Sequence, residues 1–388
     1  MRHFWENKDW TLSDKHLQAL ENMPFQRKFP FIPEKKGFYI IRGPRQVGKS
    51  SWLKTILAHH LKTKPATACY YLSCEIIQSY EQLLEVLRAQ SSTEVILLDE
   101  VTFVPQWDRA IKHAIDSGWT KLLVVTGSNS NDLRKGADRM PGRHDHGGEF
   151  ELLPMDFSEF QAMRAQAGWS KKNRVEELED YFRIGGFPGA VAEAQNQSVV
   201  PQKTLSIYGK WLVGDFLKLN KQESYVRELV GQLGLTMTSK ISLQKISQRT
   251  QMGSHHTAQE YLSVLEDCFA LQTLYAMDPN TGAFQFRKEK KFYFRDPLIY
   301  WLALDWLGMR PQKNSFEVIA EMVAAEHLKR IRPRFGYFHS AKGEIDFYKT
   351  DDFAIECKWA PDVQNLSQAY LKLIIPHKKV WFQKNFLE

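Results

Sequence analysis

The octapeptide Gly43, Pro44, Arg45, Gln46, Val47, Gly48, Lys49, Ser50 constrains this chain more than any other segment, because it joins an apolar run to a helical one. Its two glycines let the backbone turn N–H groups inward, and the helix that follows adds the partial positive charge of its N-terminus. Strand, glycine loop and helix in that order make a cradle for phosphate oxygens. Lys49 is expected to reach the β- and γ-phosphates of ATP, and the Ser50 hydroxyl to hold Mg²⁺, with Ser51 extending the cradle.

Two later runs supply what a phosphate cradle alone lacks. Val95, Ile96, Leu97 and Leu98 form an apolar stretch ending in Asp99 and Glu100. Such a strand belongs inside a parallel sheet, with its carboxylates at the edge where ligands bind. Asp99 is expected to hold the metal through water and Glu100 to polarise the attacking water. A second apolar run, 122–125, turns polar at Thr126, Gly127, Ser128 and Asn129, so Ser128 or Asn129 is a candidate to orient that water. Arg143, after Pro141 and Gly142, is placed to neutralise transition-state charge, in cis or from a neighbouring subunit.

Patterning beyond these runs divides the chain. Strands are predicted at 37–42, 67–72, 94–98, 121–126 and 149–153, with helices at 49–61, 81–89 and 106–116. That alternation implies a parallel sheet covered on both faces, a P-loop nucleoside triphosphatase core. The N-terminal strap takes residues 1–36, including a helical stretch at 13–23, and the core takes 37–155. A helical lid over 156–224 is broken at Gly185, Gly186 and Pro188. Residues 225–310 read as a winged helix: helices at 242–250 and 254–269, the second capped by Ser254, then strands at 271–277 and 284–294 around a turn at 278–282. His255, His256, Gln259 and Glu260 fall early on the second helix, where base edges could be read. A small α/β domain closes the chain at 311–388, with a helix at 316–331, three short strands, a helix at 365–374 and a strand at 379–383.

The bulk numbers narrow the class. A length of 388 residues calls for several domains, and 43% hydrophobic residues is the fraction of a soluble globular protein. No apolar run is long enough to span a membrane, the first residues have no signal-peptide core, and the reading is cytoplasmic. Four cysteines, Cys69, Cys74, Cys268 and Cys357, lack the spacing of a zinc site or a disulfide framework. A formal charge of +7 favours contact with phosphate backbones without requiring it.

In the last domain Asp346 and, ten residues on, Glu356 and then Lys358 lie on two predicted strands joined by a turn. Alternation puts Glu356 and Lys358 on one sheet face, and hairpin pairing can bring Asp346 beside them. Two carboxylates, Asp346 and Glu356, can hold Mg²⁺ or Mn²⁺ while the lysine positions a water for phosphodiester attack. This trio resembles the PD-(D/E)xK motif of restriction endonucleases, whose helix, three strands, helix, strand order it follows. The resemblance implies a further acid from the preceding helix, where Glu321 and Glu326 both qualify.

The runs GPRQVGKSSWLK, LLDEVTFVPQWDRAIKHAIDSG, TGSNSNDL, PGR and LLPMDFSEF resemble a large prokaryotic family of AAA-class ATPases fused to a C-terminal nuclease-like domain. Gly185 to Pro188 and Lys291 to Pro297 are similar to that family's linking segments. The resemblance implies an α/β P-loop sheet with a helical lid, then a winged helix, then a restriction-endonuclease-like domain. It implies a Mg²⁺-dependent ATPase, in which assembly into a homo-oligomer would let one subunit lend an arginine to the next; taken with the winged-helix outline and the nuclease-like trio, the leading expectation is that this ATPase acts on DNA. The alternative is an ATP-gated regulatory switch or scaffold that binds a protein partner and carries a degenerate nuclease-like domain.

Overall fold

The computed structural model describes residues 4–7, 9–127, 130–169, 173–341, 343–359 and 378–381. They form two compact units: Met1–Pro154 with Ala162–Ala167, and Met155–Gln161 with Gly168–Glu388.

The first unit opens with two short helices, α1 (Trp10–Ser13) and α2 (Lys15–Glu21), in place of the single predicted helix. Five strands follow: β1 (Gly37–Arg42), β2 (Cys69–Ser73), β3 (Val95–Asp99), β4 (Leu122–Thr126) and β5 (Gly148–Glu151). They are interleaved with α3 (Lys49–His60), α4 (Tyr80–Ala89), α5 (Trp107–Asp116) and α6 (Ser130–Asp138). All pair in parallel in the order β2, β3, β4, β1, β5. The sequence puts β3 and β4 at its centre because each is an unbroken apolar run, and every residue of both is buried. One face packs Leu83 and Leu87 of α4, and Trp107 and Ile111 of α5, against Ile96, Leu98, Leu123 and Val125.

That strand order positions the site. Parallel register sets Ile41 of β1 beside Thr126 of β4, and Leu98 of β3 beside Val125. The loop after β1, the acids after β3 and the polar end of β4 therefore emerge side by side at one sheet edge. Gly43 has to be glycine there, since a Cβ would lie 2.0 Å from the Leu152 carbonyl oxygen. Gly48 caps α3 with φ of 101°, a left-handed conformation that glycine adopts without strain.

Between the units in sequence runs α7 (Phe157–Gln166). The second unit continues with α8 (Arg174–Ile184), α9 (Pro188–Ala194) and α10 (Gln202–Leu217). Asn173 and Glu176 close a reciprocal capping box that starts α8. Next come α11 (Glu223–Thr236), α12 (Leu243–Gln248), α13 (His255–Asp267) and the antiparallel pair β6 (Leu271–Tyr275) and β7 (Lys290–Phe294). Ser254 accepts the Thr257 N–H, so it does cap α13. The second strand of the pair is shorter than predicted: Phe284 makes a single bridge to Met277, and pairing with β6 begins at Lys290.

A helix that the sequence reading left out, α14 (Pro297–Trp306), starts where Asp296 accepts the Leu298 N–H and Pro297 takes the first turn. Asp296 also accepts the Gly186 N–H at 2.7 Å, and Trp301 of α14 donates to the Phe182 carbonyl. The two glycine- and proline-marked segments thus meet in one core, 110 residues apart in sequence. The chain then forms α15 (Ser315–Ile331) and a four-stranded sheet of β8 (Gly336–Ser340), β9 (Gly343–Lys349), β10 (Phe353–Cys357) and β11 (Lys378–Trp381). Its order is β11, β10, β9, β8, antiparallel except for β10 with β11. The predicted helix at 365–374 and the end of the predicted last strand lie outside the described residues. No helix among the described residues is long and apolar enough to cross a membrane.

Candidate functional site

Lys49, on the first turn of α3, is buried and folds its ammonium back over the loop to donate to the carbonyls of Gly43 at 2.9 Å and Pro44 at 2.8 Å. Ser50 follows at the helix start, half-buried, and Ser51 is buried behind it. The strap braces the loop from outside. Arg27 donates to the Val47 and Leu153 carbonyls, and Phe29 stacks on Trp52, whose indole N–H bonds to Phe31.

Asp99 is buried with a hydroxyl on each carboxylate oxygen: Thr126 Oγ1 at 2.5 Å on one and Tyr71 Oη at 2.9 Å on the other. Adjacent strand ends make this unavoidable, because Ser73 of β2 pairs with Asp99 and β4 flanks it on the other side. Burial first, and the Asp99 charge second, push the Tyr71 phenol above its ordinary range, so it stays a donor. Each carboxylate oxygen keeps a lone pair for a metal-bound water. Thr126 also accepts the backbone N–H of Glu100, which sits at φ of 53° in the left-handed region. Holding a non-glycine residue there costs about 1–2 kcal/mol, and it turns the chain sharply just after the strand.

A protein-family model described as an AAA domain matches residues 35–161, the span that contains this cradle and both acids. Residues 35–161 are an AAA-type P-loop ATPase domain. A second model, a domain of unknown function (DUF8612), matches residues 175–311, which follow the ATPase domain. The chain is 28% identical over 206 residues to an uncharacterized protein of Haemophilus influenzae, covering 50% of this chain and 48% of that one. It is 27% identical over 171 residues to an uncharacterized protein of Methanocaldococcus jannaschii, covering 40% and 36%. The match thus spans no more than about half the length of these relatives. Among solved structures, the Walker-type ATPase of Pyrococcus abyssi aligns with 14% identity and a TM-score of 0.48, over 74% of this chain and 93% of that one.

The remaining ATPase candidates are placed less completely. Ser128 and Asn129 lie outside the described residues. Arg143 is bonded through Nε and an Nη to both oxygens of Asp116, at 2.7 and 3.0 Å, at the end of α5. Tyr71, Thr126 and Arg27 are contacts that the sequence reading missed. The polar residue closing an apolar strand was a usable signal for Thr126; nothing local marks the other two.

In the second unit the C-terminal residues do come together. Asp346 on β9 accepts the Cys357 N–H at 2.9 Å, next to Glu356 on β10, and Glu356 pairs with Lys358 at 3.0 Å. Of the two helix glutamates, Glu321 belongs to this cluster. Glu326 instead pairs with Arg295 and Arg330, which hold its carboxyl below the usual range although burial alone would raise it.

The cluster also contains a lysine that the sequence reading placed only in a linking segment. Lys291 of β7 is 1% exposed, and its ammonium lies 3.2 Å from Glu321, 2.6 Å from Glu344 and 3.0 Å from Asp346. Burial opposes its charge, but the three carboxylates outweigh that and raise its pKa. Glu321, which also accepts from Tyr293 at 2.7 Å, is pushed up to about 7 by burial, against the pull of Lys291. Among the described residues no group of three or more His, Cys, Asp or Glu side chains is arranged to hold a metal ion. A divalent ion at Asp346, as the nuclease motif requires, does not fit beside this ammonium.

Proposed function

We propose that the chain is an ATP-hydrolysing protein that acts on DNA, with the ATPase domain as its engine and the segment from α11 to β7 as its DNA-contacting surface. The surface of that segment is the observation that carries the DNA reading. Three helices followed by a strand pair have the outline of a winged helix, and the exposed side chains are of the right kind. Lys245 and Arg249 of α12 and its cap, His255, His256 and Gln259 of α13, and Phe286, Arg287 and Lys288 before β7 are all exposed. Cations can meet phosphates while the helix residues face base edges. Glu260, which would repel DNA, is paired with Lys221 at 2.5 Å.

In the ATPase domain, Lys49 would leave its two carbonyls for the β- and γ-phosphates, a change of acceptor that needs no change of fold. Ser50 and Asp99 would hold Mg²⁺, which when bound neutralises phosphate charge. Glu100 would polarise the attacking water and Asn129 orient it. Arg143, on the surface with Asp116, would serve a neighbouring copy.

A second reading has an observation of its own. Lys291 among the nuclease-motif carboxylates favours a C-terminal domain that does not cut, as in an ATP-gated switch that binds a protein partner. ATP hydrolysis with and without duplex or branched DNA, with Lys49→Ala as blank, separates the two. DNA is expected to raise turnover severalfold; turnover indifferent to DNA would select the switch.

A further inference from the structure

We propose that the Lys291 ammonium is the resident cation of the Glu321, Glu344 and Asp346 cluster, and that a divalent metal enters only in its place. An ammonium has three N–H donors, and each here has its own carboxylate, from two elements of the surrounding fold: Glu321 from α15, Glu344 and Asp346 from β9. That saturates the lysine and gives each of the three carboxylates a cation. The cluster has further partners: Tyr293 donates to the same Glu321 oxygen as Lys291, while the Cys357 N–H binds the second oxygen of Asp346, and Lys240 and His339 approach the second oxygen of Glu344 at 3.6 and 3.5 Å.

The lysine is also fixed in place. Position 291 lies inside β7, paired with Leu274, within a ladder that joins 271–275 to 290–294. With 1% of its side chain exposed, it has no solvent into which to swing while the strand pair stays intact. The cation is carried on a strand that precedes the four-stranded sheet in the chain. Glu321, Glu344 and Asp346 therefore surround one cation position, and a residue from an earlier segment fills it.

This inference is independent of whether the ATPase works on DNA, and its test uses neither ATP nor DNA. Mn²⁺ binding to the full chain, followed by the loss of free Mn²⁺ signal in electron paramagnetic resonance, is compared between wild type, Asp346→Asn, Lys291→Met and the double variant. The Ser50 and Asp99 region contributes equally to all four and cancels. Wild type and Asp346→Asn are expected to bind alike, and Lys291→Met to gain a site about tenfold or more tighter that vanishes with Asp346→Asn. If Lys291→Met does not fold, Lys291→Met with Glu321→Gln removes one uncompensated carboxylate and is read in the same way. Wild-type binding that depends on Asp346 and equals that of the lysine variant would overturn the proposal. So would a folded lysine variant that gains no site.

Discussion

Among the described residues Lys49, Lys54 and Lys291 are buried, and Lys49 and Lys291 are held by opposite kinds of partner. Lys49 donates to two backbone carbonyls, neutral acceptors that compete weakly with a phosphate. Lys291 donates to three carboxylates and sits at the electrostatic minimum those acids create. The first lysine is held ready for an anion that arrives from outside. The second has already met its anions and serves the fold. Burial and charge do not separate the two roles; the acceptors do.

The contrast breaks most visibly by exchange of effects. Lys49→Ala should lower the rate of ATP hydrolysis by about 10²–10³-fold while leaving the denaturant midpoint of the second unit unchanged. Lys291→Met should do the reverse, costing the second unit about 3–5 kcal/mol in urea unfolding because it strands buried carboxylates. If Lys291→Met unfolded no more easily than wild type, the idea of a committed cation would fail.

A smaller effect sharpens the nucleotide side. Thr126→Val keeps the shape of β4 but removes both the donor to Asp99 and the acceptor for the Glu100 N–H. Titration of turnover with Mg²⁺ should show a requirement raised about tenfold. An unchanged Mg²⁺ curve would mean that Asp99 does not need this support.

The last effect is a pH dependence confined to the second unit. Burial raises Asp296 to about 7, against the Gly186 and Leu298 N–H groups, and raises Glu321 to about 7 against Lys291. Folded values above the ordinary carboxylate range mean that their contribution is fully present below about pH 4 and is lost as pH rises toward about 7. Urea midpoints should therefore fall between pH 5 and 7 and level off above, and Asp296→Asn with Glu321→Gln should flatten that slope. A slope that persists in the double variant would assign it to other groups.

What the sequence discloses follows the range of each interaction. The cradle, the β3 acids and the five-stranded sheet are written in contiguous residues, and the structure moves their predicted ends by only a few positions. The start of α14 was equally local, since Asp296 before Pro297 is a helix-start signal that the turn-rich reading passed over. The shortening of β7 is intermediate: 284–294 has strand-like residues, but only those from Lys290 onward have a partner strand. Lys291 is the extreme case. Its meaning depends on Asp346, 55 positions away, and on a helix between them, so no local pattern distinguishes it from Lys288 or Lys290.

Asp296 has a consequence for how this chain can be cut and inherited. By binding Gly186 and starting α14, it makes residues near 181–186 and residues 297–306 walls of the same core. Gly231 and Gly234 of α11 press against Leu307 and Ala303, so the intervening helices lean on that wall too. A recombination point placed between them would leave each product with an open hydrophobic face, one with the Gly186 N–H unmatched and the other with the Trp301 indole N–H unmatched. The segment that the second family model spans would then travel between proteins only as a whole, its first turn and its last helix selected together.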